Sequence, residues 1–263
     1  MKPLGAFPRC ALDRDAGVRL RIRRRLPMHW CMKAEELALV QGWDDTRSAL
    51  RRWNAQPWDV LRKWALGSLA VTGLLLAATW LIAVATTADP SGYDYPGITR
   101  DATAHDFAFV LFRNGLVLAL HSLACVAGFM AGSSLPQVAE GYTGIWRKIH
   151  EKAGPLAIGF VVCATLFSLL TQAYALGHGA ADLAAQLRLS PLVLLIGLSP
   201  HALPELFALF LPLAAWTLAS RRGAWNELLA ATFVTTAIAI PLLLLAATIE
   251  VWVSPRLVLE LAG

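Results

Sequence analysis

The chain of 263 residues is 57% hydrophobic and 16% charged, where a soluble domain carries about 25% charge; this excludes an ordinary soluble domain and predicts an integral membrane protein. Residues 1–64 hold 14 of the 23 Lys+Arg and 7 of the 18 Asp+Glu, which leaves 9 basic and 11 acidic residues for the rest. A basic block ahead of the first apolar run predicts a cytoplasmic N-terminus, and without a recognition motif beside it no nucleic-acid partner is expected.

Residues 1–31 contain Arg19-Leu20-Arg21-Ile22-Arg23-Arg24-Arg25 and no apolar period. No apolar h-region follows the charges, so the segment is not a signal peptide. It reads as a basic, disordered extension. Either translation begins at Met32, ahead of the plausible helix Lys33-Ala34-Glu35-Glu36-Leu37, or the segment is a tail on anionic lipid. Residues 32–64 form a cytoplasmic and interfacial segment. Trp53, Trp58 and Trp64 alternate there with Arg47, Arg51, Arg52, Arg62 and Lys63, a pattern suited to the headgroup layer. Pro57 is expected to divide this segment into an elbow.

The bundle is assigned to residues 65–263. Five runs of about 23–29 residues can each cross a core of roughly 30 Å. They are residues 65–87, 107–132, 155–177, 191–219 and 228–253. The fold class is therefore all-α, a polytopic transmembrane bundle of five spans preceded by an interfacial amphipathic segment. Residues 88–106 are acidic, residues 133–154 and the Arg221-Arg222 turn basic. This predicts N-in and C-out, with residues 254–263 as a short external tail. Cys125 and Cys163 lie in spans and read as small buried hydrophobes; with Cys10 and Cys31 they offer no metal-ligand spacing. No internal repeat is evident.

The fourth span reads Ser199-Pro200-His201-Ala202-Leu203-Pro204-Glu205-Leu206. Proline removes a helix hydrogen bond and clashes with the preceding turn, so Pro200 and Pro204 predict a broken helix. By helical rise, His121, His201 and Glu205 fall near mid-depth. His201 and Glu205 stand four apart and would share a face. They read first as a structural hydrogen-bonded pair and alternatively as a proton or cation relay. Arg113 and Glu250 both fall toward the outer face, where they either pair or separately reach water. Gly128 and Gly132 form a GxxxG pattern, a close-packing face between helices and an option for a homo-oligomer. His-x-x-x-Glu offers at most two metal ligands and Ser199 before Pro200 is a weak nucleophile. No catalytic residue, metal or cofactor is assigned.

Pro200–Leu206, together with Ala246-Ala247-Thr248-Ile249-Glu250-Val251-Trp252-Val253-Ser254-Pro255, resembles the stage II sporulation protein M family. Phe112-Arg113-Asn114-Gly115 and the segment 128–132 look like that family's earlier Asn- and Gly-containing span. The likeness covers roughly residues 60–256, with Ala202 where the family usually has glycine. It implies a multi-spanning bacterial cytoplasmic-membrane protein, non-enzymatic, that acts as a scaffold or assembly subunit. Its partners would be the lipid bilayer and other membrane subunits, such as a cell-wall hydrolase. The family also looks distantly like ABC-2 permeases, whose cytoplasmic loop docks on a separate ATPase. The alternative reading is therefore a transport subunit, with residues 142–152 as the short basic docking helix.

Overall fold

The computed structural model describes residues 38–134 and 143–263. The expectations for residues 1–37, including the start at Met32, and for Tyr142 lie outside the described residues. The described chain is an all-α polytopic bundle, with five helices long and apolar enough to cross a membrane. In chain order the helices are α1 (Ala38–Ala55), α2 (Pro57–Ala85), α3 (Ala104–Phe129), α4 (Gly144–Gln186), α5 (Pro191–Arg222), α6 (Leu228–Trp252) and α7 (Ser254–Ala262). A π turn, Met130–Ser134, extends α3, and a 3-10 turn, Trp225–Glu227, precedes α6.

Local chemistry sets several boundaries. Pro57 opens α2 at a position that needs no N–H, so α1 and α2 form the expected elbow at Gln56. Thr103 and Asp106 form a reciprocal capping box at the start of α3. Ser190 caps α5, and Gly223 closes it with φ 66°, a left-handed conformation that suits glycine.

Helix α5 is the axis. It packs on α6, α2 and α3, while α4 rests chiefly on α2. The buried face of α2 carries Ser68, Thr72, Leu75, Thr79 and Ala83, and its exposed positions include Leu66, Leu69, Leu74 and Leu81. Small and hydroxylated side chains inside, with large apolar ones outside, invert the soluble pattern. That arrangement suits lipid, where packing and interhelical hydrogen bonds replace the hydrophobic drive between helices.

The predicted break in the fourth span is corrected: α5 runs unbroken with Pro200, Pro204 and Pro212 inside it. Pro200 cannot donate to the Ile196 carbonyl. The Ser199 hydroxyl donates to that carbonyl instead, at 2.7 Å. Neighbouring helices bond α5 further along. Ser68 Oγ donates to the Phe207 carbonyl at 2.6 Å, and Cys125 Sγ to that of Pro212 at 3.3 Å. His121 Nδ1 lies 2.8 Å from the Leu209 carbonyl, which places a proton on Nδ1.

Three other expectations change. The third span is not confined to residues 155–177; α4 has 43 residues with Pro155 inside, about 64 Å at helical rise. The residues from Gly144 onward that were assigned to a separate basic helix are its first turns. Residues 254–263, read as a short tail, fold as α7, which buries Ser254, Pro255 and Val258. Cys125 is buried as expected, but Cys163 is exposed on the open side of α4.

The ends of α4 and α5 reach past the end of α6 and build a cap. Ala180, Ala181, Leu183 and Ala184 of α4, Leu194 of α5 and Val258 of α7 form one apolar cluster, flanked by Tyr95 and Ile98 from the loop of residues 86–103. Arg100 of that loop pairs with Asp94 beside it and with Asp106 in the first turn of α3. The loop is tied to α4 where the Asp89 amide donates to Asp182 at 2.8 Å. Gly97, at φ 82°, is so close to Pro255 that an added Cβ would stand 2.7 Å from the ring.

Candidate functional site

Below this cap, four elements bring polar side chains to one place. Arg113 and Asn114 come from α3, His201 and Glu205 from α5, and Glu250 from the last turn of α6. Ser254 opens α7. The register follows from sequence: Glu205 and His201 lie one turn apart on α5, and Glu250 and Ser254 are likewise four apart across the α6–α7 junction.

Arg113 Nη2 lies 3.7 Å from Glu250 Oε1, with Arg113 half exposed and Glu250 largely buried. Of the two alternatives the structure has the pair, and Arg113 also reaches outward. Glu205 is buried, meets Glu250 and Asn114, and lies in the field of Arg113. One guanidinium faces two carboxyls. The Tyr95 hydroxyl stands within electrostatic reach of both carboxyls. Three buried polar atoms here, Tyr95 Oη, Asn114 Nδ2 and Glu250 Oε2, make no hydrogen bond of good geometry.

The structural pairing of His201 with Glu205 is corrected. His201 Nδ1 bonds to Ser254 Oγ at 2.7 Å, so α7 rather than Glu205 takes the imidazole. His121 stands apart, against Leu209 and the ring of Phe210. The mid-depth placement changes as well. His201 is level with Ser254, and Glu205 with Glu250, near the end of α6. Counting from Pro191 overestimates depth, because the first turns of α5 belong to the cap.

Gly128 and Gly132 face the chain's own residues. A Cβ on Gly128 would stand 2.7 Å from Leu228 and 2.8 Å from Trp216 Nε1, and one on Gly132 would overlap the ring of Trp225. Both glycines are used within the chain, joining α3 and its π turn to α5 and the start of α6.

Sequence reasoning missed Ser254 and Tyr95. Ser254 stood in the late element but carried no charge to draw attention. Tyr95 lay in a loop read only for its acidity. Among the described residues, no three His, Cys, Asp or Glu side chains gather into a metal-binding group. Chemically, the cluster can link α3 to α6 through the Arg113–Glu250 ion pair and α5 to α7 through the His201–Ser254 hydrogen bond, and its carboxyl pair can hold a proton. No family model matches the chain, and neither a curated protein nor a solved structure matches it.

Proposed function

We propose that this chain is a non-enzymatic assembly subunit of the bacterial cytoplasmic membrane, of the stage II sporulation protein M type. The N-terminus and elbow lie in the cytoplasm, and the cap lies outside. The observation that carries the reading is the folded cap itself. Ion pairs order the loop of residues 86–103, which is tied to α4 and packed on α7. A rigid surface held above the bundle suits docking, because a preorganised surface loses little conformational freedom on binding. The Arg113–Glu250–Glu205 cluster fixes the spans beneath that surface. The motif resemblance supplies the partner class, a cell-wall hydrolase.

The second reading, a permease-like subunit with a separate ATPase, draws on the elbow. Helix α1 packs on α6 and Arg52 pairs with Glu227 at 2.9 Å, so a partner pressing on α1 would act directly on the bundle.

Site-specific photo-crosslinking in native membranes separates the two. A crosslinker at exposed Ser91 should capture a cell-wall hydrolase. An ATPase captured from a crosslinker at Arg51, with nothing captured from Ser91, would replace the scaffold reading by the transport one.

A further inference from the structure

At the opposite end from the cap, α1, the start of α2 and Val234 of α6 line an open cavity of about 560 Å³, within the usual size of ligand sites (about 300–1,000 Å³). Its wall is apolar and aromatic, with Trp43, Trp53, Leu61 and Trp64 among the lining residues, and Arg47 and Arg51 also line it. Trp53 and Trp64 meet edge to face at 5.2 Å, which sets the shape of the wall. The Arg47 guanidinium lies over the Trp43 ring, 5.5 Å from its centroid.

Arg47 and Arg51 are four residues apart, so one helix face carries both. Both are exposed. Their neighbour Arg52 is paired with Glu227. Among the described residues, neither Arg47 nor Arg51 has a salt bridge. Two guanidinia with no salt bridge among the described residues, beside an apolar hollow on a Trp-rich elbow entering a span, match the two halves of a lipid. The guanidinium fork binds phosphate oxygens, tryptophan favours the headgroup level, and the apolar wall accepts acyl chain.

We propose that this cavity is a binding site for one anionic diacyl phospholipid of the phosphatidylglycerol class, its phosphate on Arg47 and Arg51 and its acyl chain against Trp53 and Trp64. A zwitterionic lipid carries its own cation beside the phosphate, which adds a third positive charge next to the two arginines and disfavours it. The chain's own residues 1–37 are a poor match, since they carry 9 Lys+Arg against 4 Asp+Glu. The assignment depends on neither functional reading nor on membrane orientation.

The test is native mass spectrometry of the full chain in neutral detergent. It is titrated separately with dioleoyl phosphatidylglycerol, dioleoyl phosphatidylcholine and glycerol phosphate. One phosphatidylglycerol should be retained in preference to phosphatidylcholine, and glycerol phosphate alone should not compete. Each arginine near an anionic headgroup accounts for about a fivefold change in affinity. Arg47→Gln with Arg51→Gln should therefore weaken phosphatidylglycerol binding about 25-fold. Arg62→Gln, at an exposed residue outside the lining, should leave it unchanged; circular dichroism checks that each variant keeps its helices. Equal retention of the two lipids, or wild-type binding by the double variant, overturns the assignment. Full competition by glycerol phosphate makes the site a phosphate site rather than a lipid site. A disulfide from Thr46→Cys to Cys10 or Cys31 that persists in excess phosphatidylglycerol hands the cavity to the N-terminal segment.

Discussion

The side chains below the cap show why a polar group inside an apolar bundle has to be read with its partners. His201 and Glu205 share a face, yet each turns to another element: His201 to Ser254, Glu205 to Glu250 and Asn114. Removing one partner of a buried hydrogen bond costs about 1–3 kcal/mol, whereas removing both costs less. Ser254→Ala should therefore lower stability by that amount, and His201→Phe combined with Ser254→Ala should recover part of it. Thermal unfolding in detergent reads both; additive losses would mean that the 2.7 Å contact is not a coupled pair. Glu205→Gln keeps shape and hydrogen bonding, so membrane level and unfolding temperature should stay near wild type. Glu205→Leu removes a buried carboxyl from beside Arg113 and Glu250 and should lower both. Wild-type behaviour from Glu205→Leu would remove the cluster from any account of this fold. In the cap loop, the hydrogen bond from Arg100, then that from Thr99, holds the Asp94 carboxyl below its ordinary value of 3.8. Its contribution is thus complete above that pH and lost as pH falls through the lower, folded value. Amide protection across residues 94–103, corrected for intrinsic exchange, should be flat above pH 5 and fall below pH 4. Asp94→Asn should shrink that step, and the remainder belongs to Asp106, the second carboxylate on Arg100.

At the scale of elements, the bundle is held by close approach and by bonds to α5. Interhelical polar bonds in membranes average about 0.6 kcal/mol each, so Ser68, His121 and Cys125 contribute modestly one by one. The glycines matter more. Overpacking costs about 1–3 kcal/mol, and an added methyl on Gly128 or Gly132 meets indole atoms. Gly128→Ala and Gly132→Ala should each lower the unfolding temperature of the monomer. Gly73, with open space around it, should tolerate alanine or gain up to about 1 kcal/mol of helix propensity. If Gly132→Ala instead dissolved an oligomer and left monomer stability intact, the packing argument would be wrong. These contacts explain what sequence could and could not disclose. The five spans were legible because each is a long apolar run, and the elbow because Pro57 suits the first turn of a helix. The continuity of α5 was not, because the Ser199 hydroxyl takes up the carbonyl that Pro200 leaves free, while Ser68, His121 and Cys125 anchor the helix from elements distant in sequence. The GxxxG pattern was visible, but its partners Trp216 and Trp225 are more than 80 residues away in sequence.

For the molecule as a whole, the decisive relation is which chain segments share an end. The cap was hidden in the sequence because α4 and α5 stay Ala- and Leu-rich beyond the length that a bilayer needs, so composition gives no sign of where a span stops. Packing supplies it: Gly97 of the loop meets Pro255, and Val258 of α7 clusters with Leu194 of α5 and Ala180 of α4. The loop of residues 86–103 and the C-terminal helix therefore occupy the same end. Charge then chooses the side. Around the cap lie Asp89, Asp94, Asp101, Asp106, Asp182 and Glu260 against Arg100, Arg188 and Arg256. Around the elbow lie Arg47, Arg51, Arg52, Arg62, Lys63, Lys148, Lys152, Arg221 and Arg222 against Asp44, Asp45, Asp59 and Glu227. The Lys/Arg excess at the elbow is what supports the proposed cytoplasmic side for that end. Reporter fusions after Gly263 and within residues 86–103 should both report outside, and a fusion in the turn at Gly223 should report inside. The first two must agree whatever the orientation, because they test the shared cap; disagreement between them would break the architecture. Agreement on the cytoplasmic side would keep the architecture and reverse the orientation. It would then place the ordered cap where no cell-wall partner could reach it.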